Sequence, residues 1–143
     1  MLVKPSEIKH QKQPCKNSCF AACIAMALGR PVKEVLVEMR THGLHPPLFE
    51  REAWGYLVKY DVLPVNTTVL MKSFIEPDRI NICTIIGSNG SLHACIIVID
   101  SSDHVAYFYD PCKSDVIKYR ADEIDVEFIS IESLYDCSSF KAI

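Results

Sequence analysis

Every strong helical pattern in this sequence lies before Asp61, and every strong β run lies after it. A chain that spends its helices first and its strands second points to an α+β domain. The Ala-rich apolar run after Ser18 predicts a buried helix over 18–29, stopped by Gly29 and Pro31. A second helix starts at Pro31, carries Val32, Val35, Leu36 and Met39 as its apolar stripe, and ends near His42–Gly43. Residues Leu48 to Tyr60 read as a third, with Phe49, Ala53, Trp54, Leu57 and Val58 on one side.

The second half reads differently. Val62–Val65 predicts a short edge strand, because Pro64 interrupts it. Met71–Ile75 fits one helical turn. Ile80–Ile86, Leu92–Ile99 and Val105–Tyr109 are strong β runs, linked by turns at Gly87–Gly90 and Asp100–Asp103. Asp115–Tyr119 and Val126–Ile131 add two shorter strands. Hairpin connections make the sheet mostly antiparallel. With no repeat, low-complexity segment or composition break, residues 1–143 read as a single domain.

Composition narrows the function. Hydrophobic residues make up 49% and charged residues 23%, as in ordinary globular chains. A net charge of -3 argues against a general nucleic-acid partner. No apolar run approaches the roughly 18 residues of a membrane span. The first 13 residues lack an apolar core, so no signal peptide is expected. Seven cysteines without an export signal read as reduced thiols of a cytoplasmic protein.

One of those cysteines is specially placed. Asn17 and Ser18 are good N-cap residues, which puts Cys19 in the first helical turn. Unpaired N–H groups and the positive end of the helix dipole there favour a thiolate. A nucleophilic thiol needs an imidazole as base and a polar group to orient that ring. Of five histidines, His93 stands inside an apolar strand, where an unsatisfied ring costs about 1–3 kcal/mol. If Ile99 pairs with His104 across the hairpin, residue numbers sum to 203 and His93 falls opposite Asp110. Gln13, six residues before Cys19, is placed to donate to an oxyanion beside the Cys19 N–H.

Gln13, Cys19 with Ala22, Cys23, Ala25 and Met26 behind it, His93 in a β run and Asp110–Pro111 together resemble a papain-like cysteine peptidase. The pattern is most similar to the bacteriocin-processing peptidases that cut after a double-glycine leader, in a stand-alone form. Ser18 and Phe20 flank the cysteine where that family usually has Asp and Gly. The resemblance implies a helical N-terminal half packed on a C-terminal antiparallel sheet. It implies Cys19 as nucleophile, His93 as general base and acid, Asp110 as orienter and Gln13 as oxyanion donor. It calls for no metal and no cofactor. The partner it implies is a protein or peptide substrate presenting an extended segment, with no membrane involved.

Two other classes of reading compete. The same fold without the chemistry would be a binding or inhibitor module. Cys15, Cys19 and Cys23 recur every fourth residue, and with His93 or Cys112 they would make a structural zinc site. Cys83, Cys95 and Cys137 read as core residues.

Overall fold

In a computed structural model, residues 1–48, 50–67, 75–86, 90–124 and 128–138 are described. They form an α+β fold. Three helices, α1 (Cys19–Leu28), α2 (Val32–Thr41) and α3 (Glu50–Lys59), precede six strands. The strands are β1 (Val62–Asn66), β2 (Asn81–Ile86), β3 (Leu92–Asp100), β4 (Val105–Tyr109), β5 (Ile117–Arg120) and β6 (Phe128–Asp136).

α1 is the centre of the core. A helix apolar on every side must be covered on every side, and each residue from Ala21 to Leu28 is buried. It packs against α2, α3 and β3. Its end is closed by a left-handed Gly29, with Gly29 N–H on Met26 O at 3.3 Å and Arg30 N–H on Ala25 O at 3.0 Å. Arg30 then ties the three helices together. Its guanidinium donates to Glu38 Oε2 of α2 at 2.9 Å and to Tyr56 of α3 at 3.1 Å. On α3 the buried side is Ala53, Tyr56 and Leu57, whereas Val58 is exposed. Apolar character alone misassigned Val58; its turn of the helix faces away from α1.

The sheet is wholly antiparallel, in the order β1-β6-β2-β3-β4-β5. β1 is at an edge, as Pro64 requires. One face carries Ile82, Ala94, Ile96, Val98 and Leu134 into the core with the helices. Cys83, Cys95, Ile97, Ala106 and Ile131 form a second, smaller cluster. β5 starts at Ile117, two residues later than Asp115, because Asp115 turns its carboxylate onto the Val116 N–H. β6 runs on to Asp136 and lies between β1 and β2. Ile75 is not helical, and residues 71–74 of that expected turn lie outside the described residues, as do residues 87–89 of the β2–β3 turn and Phe49. No helix among the described residues is long and apolar enough to cross a membrane.

Candidate active site

Cys19 is the first residue of α1, as its sequence setting required. Ser18 occupies the N-cap position, but its hydroxyl does not cap the helix. It donates instead to Cys15 O at 2.9 Å and accepts from Cys15 N–H at 3.3 Å, closing the loop that delivers Cys19.

The β3–β4 pairing runs from Asp100↔Val105 to Ile96↔Tyr109, so residue numbers sum to 205 rather than 203. His93 and Asp110 are therefore not direct partners. The hairpin loop is 101–104, closed by His104 N–H on Asp100 O at 2.9 Å with His104 in the left-handed region. The turn keeps four residues but is displaced by one position from the expected 100–103 loop, so each pair sum rises by two. A shift of two keeps the alternation of side chains intact, and the two residues still meet. His93 Nε2 and Asp110 Oδ1 are 2.6 Å apart, with side chains 16% and 20% exposed, so little solvent screens them. Asp110 sits just past the end of β4, where Pro111 breaks the strand. The same carboxylate oxygen accepts the Cys112 N–H at 2.9 Å.

Cys19 and His93 line the same cleft. Since Asp110 holds Nε2, Nδ1 is the nitrogen left for the thiol. Burial pushes the Cys19 thiol up, but the His93 hydrogen bond, backbone hydrogen bonds of Ala94 and Phe20 and the charge of His93 outweigh it, and the thiol lies below its ordinary range. The Asp110 bond, then the Cys19 bond, push His93 up to about 10 against the opposing effect of burial. Burial raises Asp110 too, yet the His93 and Cys112 hydrogen bonds hold it below the usual carboxylate range. All three directions favour a thiolate–imidazolium pair backed by a carboxylate. Cys23, Cys83 and Cys95 behave oppositely: burial raises all three thiols, Cys95 to about 12.

Gln13 lines the same open cleft of about 840 Å³, together with Cys15, Cys19, Leu92, His93 and Cys112. Its backbone N–H donates to Pro111 O at 2.9 Å, which fixes the incoming loop against the 110–112 turn. Its amide nitrogen donates to Cys15 O at 2.8 Å and Lys16 O at 3.1 Å. In this resting arrangement both N–H groups are engaged by the loop.

Compared with known proteins, the sequence matches no family model and no curated protein. The chemistry of the site is thus read from its own atoms.

Two residues join the site that the sequence pattern did not assign to it. His10 Nε2 donates to the Asp110 backbone carbonyl at 2.8 Å, so the N-terminal segment braces the backbone of Asp110. Cys112 Sγ lies 3.9 Å from His93 Nδ1 and 3.4 Å from Gln13 Oε1. The sum of 205 carries the signal for Cys112, since 93 and 112 complete it. No local pattern marks His10. The helical zinc set is not assembled: Cys15 is exposed in its loop while Cys23 is fully buried. Residues four apart share a helix face only inside a helix, and Cys15 precedes α1. Cys83 and Cys95 are core residues, directly paired across β2 and β3, whereas Cys137 is only half-buried.

Proposed function

We propose that this chain is a papain-like cysteine peptidase, similar to the bacteriocin-processing peptidases, that cleaves a peptide or isopeptide bond in a protein substrate. The observation that carries the reading is a single imidazole held between two groups. His93 gives Nε2 to Asp110 at 2.6 Å and faces Cys19, at the head of a buried helix, with the ring nitrogen that remains. The helix-first, sheet-second architecture supports a papain-like arrangement.

Cys19 attacks the substrate carbonyl carbon as a thiolate. The oxyanion forms at the Cys19 N–H, and one Gln13 N–H joins it by exchanging a loop carbonyl for the substrate oxygen. His93 passes its proton to the leaving amine as the C–N bond breaks, leaving a thioester on Cys19. The neutral ring then takes a proton from water, which attacks the thioester and releases the acid and the Cys19 thiolate, restoring the starting pair. Asp110 keeps the ring in one tautomer throughout. An open cleft admits an extended segment of substrate rather than a folded surface. Cytoplasmic action suits a reaction carried by a free thiol, which stays reduced there.

The test is intact mass after incubation with peptidyl electrophiles of varied sequence, followed by comparison of new protein termini in a lysate treated with wild type or Cys19→Ala. A single adduct on Cys19 and Cys19-dependent termini are expected. If neither appears, the binding-module reading replaces this one.

A further inference from the structure

We propose that the cleft selects a bipolar substrate segment, with a bulky apolar residue on one side of the scissile bond and an acidic residue on the other. Ile85, Ile86 and Leu92 form the apolar wall, and Lys12, Lys16 and Lys113 form the basic one. The walls follow from the fold alone; that the bound segment is cut between them rests on the peptidase reading.

The sheet order separates the two walls. β3, which carries His93, lies between β2 and β4. On the β2 side, Ile85 is directly opposite His93, and Ile86 is directly opposite Leu92. Cross-strand partners stand on the same face of a sheet, so Ile85 shares the face of the imidazole. All three apolar residues line the cleft that holds Cys19 and His93. Ile86 is 51% exposed and Leu92 60%. Single exposed apolar residues are ordinary on protein surfaces. A directly paired couple in the cleft of a nucleophile is different, because one apolar substrate side chain laid there removes both from water.

On the β4 side the lining is basic. The turn after β4 carries Lys113, whose N–H donates to Asp110 O at 3.0 Å. The loop before α1 carries Lys12 and Lys16, and it is tied to that turn by Gln13 N–H on Pro111 O at 2.9 Å. All three lysines are exposed and line the cleft. Among the described residues none of them forms an ion pair. Asp110, an acid on the same lining, is already committed to His93 Nε2 and the Cys112 N–H. The chain as a whole carries a net charge of -3, so this basic wall is a local feature of the site. A cleft lined by one sign of charge raises the local concentration of the opposite sign. In a peptide the group that answers it is an Asp or Glu carboxylate. Neighbouring strands lie about 4.8 Å apart, so β2 and β4 are about 10 Å apart, and an extended chain rises about 3.3 Å per residue. An apolar and an acidic residue about three positions apart therefore reach both walls at once.

The experiment has two arms on the full chain. In the first, wild type cleaves a library of internally quenched octapeptides, and the products are sequenced by mass spectrometry. Enrichment of Leu, Ile or Phe on one side of the cut is expected, with Asp or Glu on the other, about three positions from it. Ile86→Asn combined with Leu92→Asn should lower kcat/KM about tenfold for the preferred peptide and leave a matched peptide without the apolar residue unchanged. Lys12→Glu combined with Lys113→Glu should lower kcat/KM about tenfold for the preferred peptide and raise it for a matched peptide with lysine in place of the acid. Added salt should shrink the acidic preference and spare the apolar one. Lys33→Glu, at an exposed position of α2, should change neither. Far-ultraviolet circular dichroism checks folding. In the second arm, a fluorescein-labelled peptide with Leu and Glu at that spacing binds Cys19→Ala, alone and with each pair of substitutions added, read by fluorescence polarisation. Cleavage with only one preference or none, or preferences that the variants leave unchanged, overturns the two walls and keeps the peptidase. No cleavage, with Cys19→Ala binding the peptide through the same residues, keeps the walls and overturns the peptidase. Neither cleavage nor binding removes both.

Discussion

Asp110 Oδ1 accepts two hydrogen bonds at once, from His93 Nε2 at 2.6 Å and from the Cys112 N–H at 2.9 Å. One oxygen thereby sets both the ring of His93 and the turn that carries Cys112. His10 holds the backbone of the same residue through its carbonyl. Asp110 is thus held at three points, two on one carboxylate oxygen and one on its backbone carbonyl, the preorganisation that the positioning role proposed for it needs.

Asp110→Asn should lower the His93 pKa from about 10 toward the ordinary value near 6.5, because the first cause of its elevation is the Asp110 bond. The Asn oxygen still accepts the Cys112 N–H, so the turn should persist. Titration of the His93 ring signals by NMR checks this. A pKa that stays near its wild-type value would show that Asp110 is not what holds the proton.

Much of this arrangement was legible in the sequence, because it depends on alternation and on helix termini. The first-turn position of Cys19 follows from the apolar run and its stop at Gly29. The meeting of His93 and Asp110 survives a register error of two because side chains repeat every two residues. β6 was underestimated because Ser130, Glu132 and Ser133 interrupt its apolar pattern. Those residues are buried, and Ser133 donates to Asn81 Oδ1 at 2.6 Å while Glu132 accepts from Asn66 at 3.1 Å. Buried polar pairing of this kind has no periodic signature. The role of His10 was hidden for a related reason: it acts through a backbone carbonyl 100 positions away.

Cys19 should be the fastest thiol to alkylate near pH 6. His93 favours its thiolate, whereas burial both raises Cys23, Cys83 and Cys95 and shields them from reagent. His93→Ala should slow Cys19 at pH 6 more than at pH 9, where ordinary thiols ionise unaided. Peptide mass spectrometry with isotopic iodoacetamide gives the rate for each site. Equal rates for Cys19 and Cys23 across that range would remove the activated thiol.

Stability should fall above about pH 9 in a way that depends on His93. Its folded pKa, near 10, exceeds the unfolded value near 6.5. The stability it contributes is complete below the unfolded value and is lost as pH rises through the folded one. Cys19 has a lowered folded pKa, so its contribution is lost as pH falls and is complete above the unfolded thiol value. Between the two windows these effects oppose each other. Above about pH 9 only the His93 loss continues. Urea midpoints should therefore decline more steeply from about pH 9 to 10.5 in wild type than in His93→Gln. Parallel declines would mean that the imidazolium pair is not formed.

Gly29→Ala should destabilise the fold. The residue sits at φ +64°, where a side chain costs about 1–2 kcal/mol, and an added Cβ would lie 2.7 Å from Val3 Cγ1. The steric share of the loss should return in Gly29→Ala combined with Val3→Ala, while the backbone share should not. Urea denaturation of both variants separates them, and a neutral single substitution would contradict the left-handed cap.

Gln13 has two candidate roles, and kinetics can tell them apart. Its amide N–H groups donate to Cys15 O and Lys16 O, which shapes the loop before Cys19, and the proposed oxyanion role requires one of them to be released to the substrate. Removing an oxyanion donor elsewhere costs about 10²–10³ in kcat. Here the exchanged loop bond returns part of the gain, so Gln13→Ala should fall at the lower end, about 10²-fold, with KM little changed. Alkylation by iodoacetamide passes through no oxyanion. A donor role therefore predicts that Gln13→Ala loses turnover but keeps the Cys19 alkylation rate. A loop-holding role predicts that both rates fall together, because a displaced Cys19 loses its helix-end setting and its contact with His93. Measuring the two rates on one preparation decides it: parallel losses would leave the Cys19 N–H as the oxyanion donor and confine Gln13 to positioning the loop.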